Sequence, residues 1–441
     1  MQLNSFSFVF LFLPASVLVY YLLPGRLRNL CLLTLSLAFF AMLDWQALLL
    51  MLGLLGLQYL AVCAMHRLGQ GHRANRWLCA ATAVVTVGLL ILWAGAVQIN
   101  HTQMPLGLMV YSLTGLGYVV DFYRGEAQLE NPVRFGVMCC FFGKLYAGPL
   151  VEYQEFMPNL KAPVFSLSQM GEGILQFVQG LAKKVLLADQ ATVVFAAMAA
   201  LPDDQLPVLG AWMKVFCAAF STYFTLSAYC DMAVGLGQIF GLQLPSNFAY
   251  PFQSRTVTDF FARFNITVTR YIRRYVYRFL GYDSGGRLSN SFNLMLTAML
   301  AGLWFGLRLS TLTWGMFLGI FMIIEVLWGQ KLFENIPPFF LRIYAFAVVL
   351  LSFSLLSADS IGQASNTVKV MLGLTGHSFI NETVQYMLVS RAVVLVACLI
   401  FSTSLYHKIS EWVRQKYPGF AKAAEVVGNT LLLVLTIAVM L

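Results

Sequence analysis

Apolar residues in this chain come in runs of roughly 15–25, the length at which an α-helix crosses a bilayer. The runs lie near 6–23, 30–43, 47–65, 77–97, 105–120, 174–200, 208–243, 290–306, 311–328, 343–357, 385–405 and 424–441. The polar residues between them alternate in charge. Arg26 and Arg28, then Arg67, Arg73 and Arg76, then Arg124 and Arg134 fall on one side of the alternation. Arg255 through Arg287, Lys331 and Arg342, and Lys408 through Lys422 fall on that same side. The opposite loops, Asp44-Trp45, Gln98 to Gln103 and the acidic Leu201 to Pro207, are poor in Lys and Arg. By the positive-inside rule the basic side is cytoplasmic, which puts both termini outside. The first residues, MQLNSFSFVFLFLP, lack the positive n-region of a signal peptide and read as a retained first span. The pattern predicts an all-α polytopic membrane protein of about 11–12 helices, one membrane-embedded domain over 1–441.

Two stretches interrupt the pattern. At 135–160, FGVMCCFFGKLYAGPLVEYQEFMPNL, an apolar run is broken by Gly143, Lys144, Gly148 and Pro149. Broken backbone at membrane depth must be buried in protein or line a cavity, so this stretch reads as re-entrant. The second interruption, 245–287, is basic and aromatic and lies on the cytoplasmic side. From Thr258 to Leu280 it contains no Gly or Pro and predicts a helix carrying Arg263, Arg270, Arg273, Arg274 and Arg278. Two readings fit it. One is an interfacial helix whose arginines snorkel to anionic lipid. The other is a cytoplasmic mouth in which Arg263, Arg270, Arg273 and Arg274 hold the phosphates of a donor.

Composition narrows the class. Apolar residues make up 59% of the chain and charged residues 11%, well below the quarter usual for a soluble domain. The net charge of +9 sits in short loops between spans, which argues for membrane lipid and against nucleic acid as its partner. The eight cysteines, Cys31, Cys63, Cys79, Cys139, Cys140, Cys217, Cys230 and Cys398, lie in apolar stretches without metal-ligand spacing. They read as buried small hydrophobes, with neither a disulfide framework nor a metal site.

Several motifs then fall in an order that resembles one family. MPLGLMVYSLTGLGYVVDFYRG (104–125), LYAGPLVEYQEFMPNL (145–160) and GLAKKVLLAD (180–189) come first. AYCDMAVGLGQIFGLQLPSNFAYPFQSRTVTDFF (228–261), NLMLTAMLAGLWFG (293–306), Trp314-Gly315 and SADSIGQA (357–364) follow. Together they resemble the membrane-bound O-acyltransferase (MBOAT) family, in its bacterial alginate O-acetyltransferase-like branch. The resemblance implies a barrel of tilted helices around a tunnel in a bacterial inner membrane. It implies no bound cofactor and a cytoplasmic thioester donor, acetyl-coenzyme A or an acyl carrier protein. The acceptor would be a hydroxyl, or a partner protein, on the outer side.

The resemblance also places the family's histidines, and this chain departs there. In the GLWHG-type motif Phe305 takes the place of the catalytic histidine, and in the WHIS-type motif Asn265 takes the place of the second. Phenylalanine has neither a lone pair nor a titratable proton, so it cannot act as a general base. The chain's own histidines, His66, His72, His101, His377 and His407, sit in predicted loops or near span ends, with His101 nearest the outer mouth. Asp231, inside an apolar stretch, is a candidate base by position. It reads more readily as a structural partner for Arg263 or another embedded polar group. Cys230 offers a nucleophile without a visible base.

Three functions remain open. The chain is a catalytically silent homologue working beside a histidine-bearing paralogue, a periplasmic or extracellular acetyltransferase, or exopolysaccharide-export partners. Alternatively it is an active O-acyltransferase with an unconventional base, Asp231 or His101. The third reading is an acyl or lipid passage without chemistry.

Overall fold

The computed structural model describes residues 2–100, 105, 107–162, 166–202, 204–277 and 287–440. His101 and Arg278, both singled out above, lie outside them. Among the described residues the chain is helical with no strand; one isolated bridge joins Phe248 to Phe264. Contacts divide it into two compact units interleaved along the sequence: Met1–Leu181 with Tyr229–Ser246, and Ala182–Ala228 with Asn247–Val439.

The first unit opens with a π-helical turn, Phe8–Phe12, leading into α1 (Leu13–Leu22), and continues through α2 (Arg28–Leu43), α3 (Trp45–Leu68) and α4 (Arg73–Asn100). Then come α5 (Leu108–Tyr123), α6 (Pro132–Cys140), α7 (Tyr153–Lys161) and α8 (Leu167–Ala182). Local chemistry sets the boundaries. Asp44 caps α3 by accepting from the amides of Gln46 and Ala47 at 3.0 Å, and Gly69 ends it at φ +84°. Asn131 caps α6, with Pro132 in the first turn where no amide is needed. Inside the helical packing, the buried Gln58 of α3 donates to Thr86 Oγ1 of α4 at 3.1 Å and to the Ser112 carbonyl of α5 at 3.0 Å. The Gln58 amide nitrogen is thereby satisfied, while its Oε1 is buried without a hydrogen-bond partner, and three helices are tied at one level.

The second unit holds a π-helical stretch, Lys183–Ala188, followed by α9 (Asp189–Ala199) and most of the long α10 (Val208–Ile239). Its remaining helices are α11 (Val257–Arg263), α12 (Ile266–Tyr271), α13 (Arg287–Leu303), α14 (Leu309–Phe333) and α15 (Pro338–Leu356). After these come α16 (Ile361–Met371), α17 (Glu382–Ser390), α18 (Ala392–Phe401), α19 (Leu405–Lys416) and α20 (Pro418–Met440). The α13–α14 hairpin is the tightest pairing. A Cβ on Gly315 would lie 2.2 Å from the Ala298 carbonyl oxygen, and one on Gly302 would lie 2.3 Å from that of Thr311. Only glycine admits that approach.

Seven described helices are long and apolar enough to span a bilayer, or eight if the α17–α18 pair, bent by 59°, is one crossing. The chain is a multi-pass membrane protein. The other expected spans differ for identifiable reasons. Residues Phe8–Leu22 form a short apolar helix, while α5 and α13 reach only 16 and 17 residues. The run near 174–200 is continuously helical, but Lys183, Lys184 and Asp189 lower its hydropathy.

Candidate functional site

The expected helix from Thr258 to Leu280 is broken by Asn265, at φ 54° and ψ 53°. It ends α11 and starts α12, and the helical path then runs to Tyr277, with 278–280 outside the described residues. The break has a tertiary cause. Asn247 Nδ2 donates to Asn265 Oδ1 at 2.8 Å, while Asn247 Oδ1 accepts from the Thr267 amide and hydroxyl at 2.8 and 2.9 Å. The Ile266 amide donates to the Asn247 carbonyl at 2.9 Å, and the Ala249 amide to that of Arg263 at 3.0 Å. Asparagine is among the few residues that take the left-handed conformation readily, and here the polar clamp from Asn247 offsets the remaining cost.

Phe305 lies just past the end of α13, in the short turn that leads to α14. Gly306 at φ +134° forms the turn, and Thr311 Oγ1 donates to the Gly306 carbonyl at 2.5 Å. The Phe305 ring meets Phe264 at 6.2 Å and stands edge-on to Trp314 at 5.4 Å. Trp314 is fully buried, donates to Ser352 Oγ at 3.0 Å, and also contacts Phe261 and Phe353. Positions 265 and 305, forty residues apart in sequence, are therefore neighbours through the ring of Phe264. The side chains packed around Phe305 are aromatic; Asn265 is 7% exposed and spends its side-chain oxygen on Asn247.

Asp231 belongs to the first unit. Its Oδ1 accepts from Gln176 Nε2 of α8 at 3.1 Å, an embedded polar partner. Arg263 pairs instead with Asp259 at 2.7 Å, one turn back on its own helix. Beside Asp231, Tyr229 stacks on Tyr146 at 5.1 Å and 16°, and Cys230 Sγ donates to the Ala147 carbonyl at 2.9 Å. These contacts fasten α10 to the AGPL segment, and they use the Cys230 thiol as a structural donor. Of the other arginines, Arg270 and Arg274 are half-buried and Arg273 is exposed, with the Arg274 guanidinium 5.7 Å from the Tyr275 ring centre.

The model of the membrane-bound O-acyltransferase family matches residues 30–361. The chain belongs to this family. It is 32% identical over 330 residues to a probable alginate O-acetylase AlgI of Pseudomonas fluorescens, covering 74% of this chain and 66% of that one, just under two thirds of its length. A probable alginate O-acetylase AlgI of Azotobacter vinelandii is 31% identical over 399 residues, 82% of this chain and 76% of its own. The peptidoglycan O-acetyltransferase of Helicobacter pylori is 26% identical over 425 residues, 85% and 80%.

The MBOAT match takes in the broken segment, the Asn265 bend and the Phe305 turn, and it contains two buried charges that reading the sequence did not credit. In the sequence Lys144 reads only as an interruption of an apolar run. It is fully buried, donates to the Met138 carbonyl at the end of α6, approaches Thr114 Oγ1 of α5 at 3.5 Å, and lies 5.9 Å from the ring centre of Phe156 in α7. One ammonium thus joins three elements around the break. Glu325, within the apolar α14, accepts from the amides of Val257 and Thr258 at 2.6 and 2.8 Å and from the Thr258 hydroxyl at 2.7 Å. Tyr344 donates to it at 3.3 Å. A carboxylate there complements the positive N-terminal end of α11 and fixes the helix that leads to Asn265. An acid inside a predicted span was the available signal. Among the described residues no group of three or more metal-ligating side chains comes together.

Proposed function

We propose that this chain acts in the transfer of acyl groups from a cytoplasmic thioester, acetyl-coenzyme A or an acylated carrier protein, to an extracytoplasmic polysaccharide. It does so in a bacterial inner membrane, with the basic loops inside and both termini outside, and without a general base of its own at positions 265 and 305. One observation carries the last point. Asn265 is committed to the backbone bend and Phe305 to ring contacts with Phe264 and Trp314, so neither position offers a proton acceptor to a hydroxyl. The chain is therefore silent alone and works with a partner that brings the base: a histidine-bearing paralogue, a periplasmic or extracellular acetyltransferase, or an exopolysaccharide-export complex. Arg263, Arg270, Arg273 and Arg274 receive the donor's phosphates, a task their planar forks suit.

A second reading rests on Asp231, a carboxylate within α10 oriented by Gln176. In it Asp231 accepts the proton, and the activated thioester tolerates the loss of the histidine, which costs roughly 10²–10⁴-fold. Thiol release from acetyl-coenzyme A by the purified full chain decides between the two. The first reading expects none above background for the native chain, and release that rises by roughly 10²-fold or more when Phe305→His and Asn265→His are combined. Histidine suits the left-handed bend at 265 better than most residues. Native turnover that Asp231→Asn abolishes would overturn the silent reading.

A further inference from the structure

Arg28, the first residue of α2, lies against two tyrosines of α1. Its guanidinium carbon is 5.5 Å from the ring centre of Tyr20 and 5.4 Å from that of Tyr21, within cation–π range of both. The two rings stand edge-on to each other at 5.0 Å, and the end of α10 fixes them. The Tyr20 hydroxyl donates to the Phe240 carbonyl at 2.9 Å, and that of Tyr21 donates to the Ile239 carbonyl. A long side chain is thereby held in a prepared position. Among the described residues no carboxylate or other acceptor meets its guanidinium. Of its three nitrogens only Nε is buried, so the two terminal amino groups are the ones open to a ligand. The surroundings are short of negative charge. α2 has no acid in its first turn and no side-chain cap, so Arg28 meets the positive end of its own helix, with the exposed Arg26 two residues away. Such a gathering of positive charge favours an anion between its members. The rim selects the kind of anion. Leu22, Leu27 and Leu30, which flank the site in the chain, are exposed. A guanidinium set among side chains that seek hydrocarbon fits a phosphate attached to acyl chains better than one free in water.

We propose that Arg28, with Arg26 beside it, binds the headgroup phosphate of an anionic phospholipid in the leaflet on the basic side of the chain. The planar fork offers its N–H groups to phosphate oxygens in pairs, the tyrosine rings carry the fork, and the exposed leucines pack on the acyl chains. Tyr20, Tyr21 and Arg28 all precede residues 30–361, which the family model matches. The site lies wholly within the first unit and does not rest on the acyl-transfer reading: it holds lipid whether or not the chain is active.

Native mass spectrometry of the full chain released from detergent, titrated with phosphatidylglycerol and with phosphatidylcholine, tests it. The first phosphatidylglycerol is expected to bind tenfold or more tighter than phosphatidylcholine, and Arg28→Gln to remove most of that preference. Tyr21→Leu keeps every charge and removes one ring, and should weaken phosphatidylglycerol binding severalfold. Arg28→Lys keeps the charge and loses the fork, and should bind less tightly than the native chain. These two variants keep the test valid if Arg28→Gln does not fold. Arg67→Gln removes an exposed basic residue on the same side, outside the tyrosine cradle, and should leave binding unchanged. Inorganic phosphate at millimolar concentration should not displace the lipid. Equal affinity for the two lipids, equal loss from Arg67→Gln and Arg28→Gln, unchanged binding in Tyr21→Leu, or displacement by inorganic phosphate would overturn the proposal.

Discussion

At the scale of single residues, Asn265 decides the local path of the chain. Its left-handed backbone and its bond from Asn247 contribute separately, and substitution can divide them. Asn265→Gly keeps the backbone preference and loses only the hydrogen bond, a loss of about 0.5–1.5 kcal/mol. Asn265→Ala loses the bond and, relative to glycine, carries about 1–2 kcal/mol for a Cβ in the left-handed region, without the local hydrogen bonding by which asparagine offsets that cost. Thermal unfolding in detergent should therefore rank native, then glycine, then alanine; an alanine variant as stable as the glycine variant would show that the bend is not strained. The resemblance made 265 and 305 legible as positions. That they adjoin each other through Phe264 was not legible, because the contact spans forty residues of sequence and depends on how α13 meets α11.

At the scale of elements, some helix starts are set by the adjacent residue and others from a distance. Asp44 and Asn131 cap α3 and α6 from the position just before each helix. The start of α11 is held by Thr256 nearby and by Glu325 from another helix. Replacing Glu325 with leucine leaves two amides and a hydroxyl without their acceptor, and about 1–3 kcal/mol is expected to be lost for each group that stays buried. Glu325→Gln, which keeps one acceptor, should lose less. Cysteine reactivity at Thr258→Cys, rising in the leucine variant, reports the loosened helix.

A second long-range clamp joins the ends of the broken segment. Glu130, 4% exposed, pairs with Lys161 at 2.6 Å and Arg134 at 3.4 Å, and accepts from Tyr153 at 2.8 Å. Burial pushes its carboxyl upward, but the hydrogen bonds from Lys161 and Tyr153 and the positive charge of Lys161 outweigh that and hold it below the usual range. A lowered carboxyl adds stability that is complete above its unfolded value of about 4.3 and is lost as pH falls through the folded value. Amide protection factors over 132–161, taken relative to the intrinsic exchange rate at each pH, should thus fall below about pH 4 in the native chain. In Glu130→Gln, where the ionic part is already absent, the same region should exchange faster at neutral pH and respond less to acid.

At the scale of the whole molecule, charge alternation predicts an orientation that labelling tests directly. His72→Cys and His407→Cys, both at exposed positions, should react with impermeant maleimide only from the cytoplasmic side, and Asp204→Cys only from the outside. Labelling of His72→Cys from the outside would reverse the assignment. The number of crossings is a different matter. Hydropathy predicted about a dozen, whereas seven or eight described helices meet the length and polarity of a span. A hydropathy window registers apolar content and does not register whether lipid or protein satisfies it. Short α5 and α13 are apolar because they pack in the interior of their own units, where α5 is buried along most of its length.

The sequence by itself determined that this chain lives in a membrane, which loops are basic, which family it belongs to, and that no histidine stands at 265 or 305. Those features are properties of residue type and order, and hydropathy and motif spacing express them locally. Only the tertiary structure decided that Thr258 to Tyr277 is not one helix, that Asn265 and Phe305 adjoin, and that Lys144 and Glu325 are buried ties. Each of these depends on a partner far away in sequence, and a polar group in a protein interior takes whatever partner the packing brings within hydrogen-bonding distance.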